Sequence, residues 1–251
     1  MVLIMEYDGT NYYGFQLQAT LPTIQGEIES ALEKLTGEKS RVMATSRTDT
    51  GVHAREQVVS FRTSSSLPIK AFTHGLNHYL PDDIAVKDAF TVHDTFNVRR
   101  DAVSREYNYY ILNRSTRSPI RRGSAYLVRG QLDIEAMNQS CQMLIGRHDF
   151  ASFATRLESK IKSTVRRVYQ ASVTRDEEFV VFNMVASSFL PHQVRNTMGA
   201  LIRVGLDKMT VDEFRHMLEA KRPGLAKPTA PACGLYLTRV NYPHSWEEIR
   251  N

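Results

Sequence analysis

One order of hydrophobic periods occurs twice in this 251-residue chain, and nothing else in the sequence restricts the fold as strongly. Residues 2–7 alternate as a strand. Ile24, Ile28, Leu32 and Leu35 then recur at helical spacing between a Thr23 cap and a Gly37 stop. Strands follow at 41–45 and 57–62, a helix-compatible stretch at 69–79 and a short apolar strand at 84–86, giving the order β-α-β-β-α-β. The second half repeats it. A strand at 105–112 precedes a helix at 134–145, capped by Asp133 and stopped by Gly146. Strands near 165–173 and at 179–186 follow, then helices at 194–204 and 211–220, the latter opened by a Thr210/Glu213 capping box. A strand at 235–241 closes the chain.

A split βαβ unit buries the apolar faces of its helices against one side of a sheet. The predicted class is therefore α+β: two ferredoxin-like (split βαβ) units with mainly antiparallel sheets, joined around a central basic cleft. Their boundary is expected within residues 95–104, giving domains 1–98 and 99–251. No low-complexity linker separates the halves, so rigid packing between them is expected.

Composition removes several classes of function. With 42% hydrophobic and 24% charged residues the chain is that of a globular protein. No apolar stretch approaches the roughly 18 residues of a membrane span. Val2–Met5 is too short for a signal-peptide core, so the expected location is cytoplasmic and no membrane partner is expected. Two cysteines, Cys141 and Cys233, sit in no Cys-x-x-Cys pair, and His74 and His78 flank no glutamate. No metal site is expected. A formal charge of +5 favours a polyanionic partner.

Ser46-Arg47-Thr48-Asp49-Thr50-Gly51-Val52-His53-Ala54 sets a carboxylate beside an arginine on a turn with few large side chains to block access. Asp-Thr-Gly is also ordinary turn chemistry, because Asp bonds its own backbone and Gly supplies positive φ. On a strand, Arg105, Tyr107, Tyr109 and Ile111 share one face. That face can stack a base, or it can be a sheet surface packed by tyrosines. Arg99, Arg100, Arg114, Arg117, Arg121, Arg122 and Arg129 form a candidate phosphate stripe with few carboxylates between them. Arg195 lies in the first turn of a helix, where the macrodipole disfavours a cation, and so points to a partner elsewhere.

Together these segments resemble the tRNA pseudouridine synthase A family along nearly the whole chain. The motifs occur in order: Glu6-Tyr7-Asp8-Gly9-Thr10 with Gly14 and Gln16, Thr23-Ile24-Gln25-Gly26, Arg47-Thr48-Asp49 with Gly51-Val52-His53, and Leu80-Pro81-Asp82-Asp83-Ile84. Arg105-x-Tyr107-x-Tyr109, Gly146-x-His148-Asp149-Phe150, Val194-Arg195-Asn196 with Gly199, and Gly234-Leu235-Tyr236-Leu237 complete the series. The resemblance implies a homodimeric isomerase that converts uridine to pseudouridine in the anticodon arm of tRNA, at positions 38 to 40, with no metal or organic cofactor. It implies Asp49 as nucleophile, Tyr107 stacked on the uracil, and Arg195 paired with the aspartate. Leu235 is implied as an apolar wall and Arg47 as an RNA-binding arginine, with Arg105 and His53 as further substrate contacts.

Three positions depart from the family pattern: Ser46 replaces a common Gly, Thr50 a common Ala, and Glu56 a frequent Gly. A serine resists positive φ, so a reshaped loop is expected there. Two rival readings use the same residues. One is a non-catalytic RNA-binding protein on this scaffold. The other is a nucleosidase, which would need Asp8 or Asp149 as a second carboxyl group.

Overall fold

The computed structural model describes residues 1–155 and 163–250, and they divide into two units: Met1–Val103 with Tyr236–Asn251, and Ser104–Leu235. The first unit runs β1 (Val2–Tyr7), α1 (Ile24–Thr36), β2 (Met43–Ala44), β3 (His53–Ser60), α2 (Ile69–Tyr79) and β4 (Ile84–Phe90). Its strands lie in the order β4-β1-β3, with β2 on the outer edge of β3, and all of these pairs are antiparallel. Val2 to Met5 are buried without the expected alternation, because β1 lies centrally between two partners.

Helix α1 starts where the Thr23 side chain accepts the Gly26 N–H, and ends at Gly37, whose φ of 75° is left-handed. Ile28 and Leu32 face the core. Its Leu35 packs so closely on α2 that a Cβ at Gly75 would lie 2.5 Å from the Leu35 side chain. Strand β3 begins at His53, four residues earlier than the periodicity indicates. Arg55 and Glu56 break the apolar pattern there, yet backbone pairing with β1 continues to Ala54. Lys87 and Asp88 hid the last residues of β4 in the same way.

The second unit runs β5 (Ser104–Asn113), β6 (Tyr126–Val128), α3 (Ile134–Gln142), β7 (Gly146–Asp149), β8 (Val165–Asp176), β9 (Phe179–Ala186), α4 (Gln193–Gly205) and α5 (Val211–Glu219). Strands β5, β9, β8 and β7 pair antiparallel in that order, and β6 runs parallel to the end of β5. Fully buried Phe150, Phe153, Phe182 and Phe214 fill its core. Asp133 caps α3 through the Ala136 N–H, and Thr210 and Glu213 form the expected capping box on α5. The short strands β6 and β7 carry too few residues to show a period, and α3 stops three residues before Ile145.

The chain then returns. In β10 (Leu235–Asn241), Tyr236 and Leu237 pair in parallel with His53 and Ala54 of β3. A last turn, α6 (Trp246–Ile249), sets Trp246 against Phe90, Phe96 and Tyr242. The expected division into 1–98 and 99–251 placed this segment in the second half. From Tyr236 on it belongs to the first unit, a return that periodicity along the chain cannot reveal.

Candidate active site

Three separated motifs of the first unit meet at the Asp49 loop. The Thr48 carbonyl accepts the Phe15 N–H at 3.0 Å, and the Tyr12 carbonyl accepts the Gly51 N–H at 3.3 Å. Two glycines make this approach possible. A Cβ at Gly9 would lie 2.0 Å from the Val52 carbonyl oxygen, and one at Gly14, where φ is 87°, would lie 2.8 Å from the Thr48 oxygen. The segment that presses on the loop is itself held by Asp83. That residue's carbonyl accepts the Asp8 N–H at 2.9 Å, and its carboxylate accepts from Asn11 at 3.1 Å and from the Tyr12 hydroxyl.

Asp49 occupies the first position of a turn closed by the Val52 N–H on the Asp49 carbonyl, at 3.1 Å, with Gly51 at a φ of 75°. The turn reading of Asp-Thr-Gly thus holds for the backbone. The half-buried Asp49 side chain is carried on that rigid turn. Beneath it, Thr48 shares a 2.8 Å hydrogen bond with the buried Tyr7 hydroxyl, to which Gln57 donates at 3.3 Å. Gln57 also donates to the Ser46 carbonyl at 2.8 Å. Burial raises the Tyr7 pKa to about 12, against the lowering effect of its Thr48 and Gln57 hydrogen bonds. Ser46 is not among the residues at positive φ, so the serine stands where glycine is common without backbone strain.

His53 is 1% exposed. Its Nδ1 lies 3.2 Å from the Gly9 N–H and 3.0 Å from Asp8 Oδ1, and its ring stacks on Tyr236 at 4.5 Å. Such a buried imidazole positions the loop. Asp8 is occupied as well. Burial raises its pKa, but hydrogen bonds from Thr10 and the nearby His53 outweigh this, and the net shift is downward. Arg47 is exposed, and Arg99 donates to the Ala44 carbonyl at 3.2 Å. Burial and then the neighbouring Arg47 charge lower the Arg99 pKa, so the two guanidinium groups form one cationic patch beside the loop. Sequence reasoning missed that pairing. It also missed the Tyr7–Thr48–Gln57 network, for which the only signal was an inward Tyr7 at the end of β1.

In the second unit, β5 points Arg105, Tyr107, Tyr109 and Ile111 to one side, and all four are buried. Tyr109 and Ile111 are core residues at 0% exposure; the Tyr109 hydroxyl donates to the Pro231 carbonyl at 2.8 Å. The packed-sheet reading is correct for these two. Arg105 donates to the Ser187 carbonyl at 2.9 Å. Tyr107, 6% exposed, meets Phe189 edge-on at 5.0 Å. Phe189 belongs to the loop that leads into α4, and no periodic signal marked it.

Arg195 stands in the first turn of α4, where its Nε donates to the Ala230 carbonyl at 2.8 Å while its own carbonyl accepts the Ala230 N–H at 3.1 Å. The same connecting segment supplies Pro231 to Tyr109, and Gly234 lies so close to the Tyr109 ring that a Cβ would be 2.7 Å away. Leu235, 5% exposed, follows directly. Segments 187–195 and 228–235 thus supply the neighbours of Tyr107, Tyr109 and Arg195 given above. Asp149 is engaged in a local Asx turn, where it accepts the Ala151 N–H at 3.0 Å.

A family model described as tRNA pseudouridine synthase matches residues 3–100 and 140–243. The chain belongs to that family. Relatives named tRNA pseudouridine synthase A agree along the full length. The Thermoanaerobacter sp. protein is 40% identical over 242 residues, 96% of this chain and 99% of its own. The Legionella pneumophila (strain Lens) protein is 41% identical over 251 residues, 100% of this chain and 95% of its own. The Exiguobacterium sp. protein is 43% identical over 240 residues, 96% of each chain.

For a member of the tRNA pseudouridine synthase family, the arrangement within each unit is informative. The motifs around Asp8, Asp49 and Asp83 are one packed assembly in the first unit, and those around Tyr107, Arg195 and Gly234 are another in the second. Of the arginines in the candidate phosphate stripe, Arg99 and Arg100 belong to the first unit and the rest to the second, and Arg100 is engaged by Asp101 at 2.7 Å.

Proposed function

We propose that this enzyme isomerises uridine to pseudouridine in the anticodon arm of tRNA, at positions 38 to 40, with Asp49 as nucleophile. The reaction breaks the bond from uracil N1 to ribose C1′, turns the base and joins C5 to the same carbon. The C5 proton leaves and N1 gains one. No atoms or electrons are gained or lost overall, so the proposal includes no metal or organic cofactor. The carboxylate can enter at C1′, at C6, or by drawing a ribose proton to form a glycal; each route needs it ionised and held still. The carrying observation is the Asp49 turn, locked by the Gly9–Phe15 segment and floored by Tyr7, Thr48 and Gln57.

In this reading Tyr107 stacks on the detached ring and Leu235 supplies an apolar wall, which together oppose diffusive loss of uracil. Arg195, aimed by its Nε contact to Ala230, pairs with the carboxylate and favours its ionised form. Arg47 binds the backbone of the displaced nucleotide, and such contacts offset the few kcal/mol of base flipping. Arg105 and His53 act by positioning, as their burial indicates. The reading also includes a cytoplasmic homodimer. Among the described residues, no helix is long and apolar enough to cross a membrane.

Incubation with an unmodified tRNA transcript, followed by carbodiimide mapping of pseudouridine, tests the site assignment. Reverse-transcription stops confined to positions 38 to 40 are expected. Stops elsewhere overturn the regiochemistry, and tRNA bound without any stop favours the RNA-binding alternative.

A further inference from the structure

At the far end of β5 from Tyr107, the second unit carries a groove of about 640 Å³ bordered by Arg114, Arg129 and Arg175, with Asn113 and Gln131 between them. Its guanidinium groups are tethered mainly to neutral oxygens. Asn113 donates to the Val128 and Gly130 carbonyls at 3.0 and 2.7 Å, which fixes its Oδ1 as acceptor for Arg175 Nη2 at 3.0 Å. The same Nη2 reaches the Leu132 carbonyl at 3.3 Å. Arg129 Nε donates to the Ser115 carbonyl at 3.1 Å. Arg114 pairs with Glu178 at 3.0 Å. Among the described residues, Arg129 and Arg175 have no carboxylate within ion-pairing distance.

We propose that this groove is a second RNA-contact site, which holds phosphodiesters of the substrate several nucleotides away from the reacting uridine. Carbonyl tethers orient a guanidinium without neutralising it, so its charge and its other N–H donors face an incoming anion. The groove is too large for one phosphate and continues in sequence into the exposed Arg117, Arg121 and Arg122, which suits a strand of backbone. From Tyr107 to Asn113 the strand rises roughly 3.3 Å per residue, or about 20 Å in all. A contact at that distance adds affinity without touching the chemistry.

This inference rests on the proposed tRNA substrate. Its test reads binding and turnover separately, with the double variant Arg129→Gln/Arg175→Gln and a charge-matched control, Lys34→Gln/Lys39→Gln, at the exposed end of α1 and just past its Gly37 cap. Both groove positions are exposed, and an unchanged melting temperature verifies folding. For the groove variant, the Kd for a tRNA transcript rises about tenfold near physiological salt. The slope of log Kd against log salt falls by about 1.4 to 1.8, the value for two lost phosphate contacts. The single-turnover rate at saturating RNA stays that of the parent. A Kd and slope equal to the parent's overturn the proposal, as does an equal loss in the lysine control. If the parent binds tRNA but forms no pseudouridine, the isomerase reading fails while the slope still reports on the groove.

Discussion

At the scale of single residues, the site depends on groups that never touch RNA. Tyr7 is the clearest of them. Its hydroxyl is fully buried beneath Thr48, and burial lifts its pKa from 10.0 to about 12. Because the folded state holds this proton more tightly than the unfolded chain, the associated stability is complete below pH 10 and is lost as pH rises towards 12. A shift of that size corresponds to on the order of 2–3 kcal/mol. Urea denaturation of the parent and of Tyr7→Phe, compared from pH 8 to pH 12, checks it. The variant is less stable at pH 8, having lost the hydroxyl's hydrogen bonds, and the gap narrows above pH 10. A constant gap across the range shows that the hydroxyl is not the titrating group.

At the scale of elements, packing between segments distant in sequence shapes the Asp49 loop, and Gly9 tests that packing. Gly9→Ala puts a methyl group 2.0 Å from the Val52 carbonyl oxygen, so backbone must shift. The expected cost is about 1–3 kcal/mol of stability, with a fall in kcat larger than any rise in KM because the displaced group is the turn that carries Asp49. A variant with parental kcat and a parental urea midpoint contradicts this packing. Legibility follows the same division. Helix α1 could be read because Thr23 and Gly37 punctuate a clean period, and β9 because apolar residues fill it apart from Asn183. The start of β3 was obscured by Arg55 and Glu56, while β6 and β7 were too short to show a period. Asp49, Tyr107 and Arg195 stood out by residue type and by resemblance. Gln57 and Phe189 did not, and Arg99 stood out as part of a stripe but not as the neighbour of Arg47, since these roles come from long-range contacts that spacing along the chain does not encode.

At the scale of the whole molecule, the chain repeats one α+β plan and then returns its last strand to the first unit beside His53 and Ala54. Each unit holds its motifs rigidly with ordinary means: close glycine approaches, buried hydroxyls, and carbonyl tethers on arginines. The basic surplus of +5 suits an RNA substrate whose phosphates must be gripped while a base is turned out. In the proposed reaction a single carboxylate, that of Asp49, carries the isomerisation. The most direct measurement is tritium release from C5-labelled uridine in a tRNA transcript, under single-turnover conditions, for the parent and for Asp49→Asn. Release by the parent is expected, with a loss of at least about 10³-fold in the variant and tRNA affinity kept within a few-fold. Release by Asp49→Asn at a rate near the parent's contradicts that role for the carboxylate.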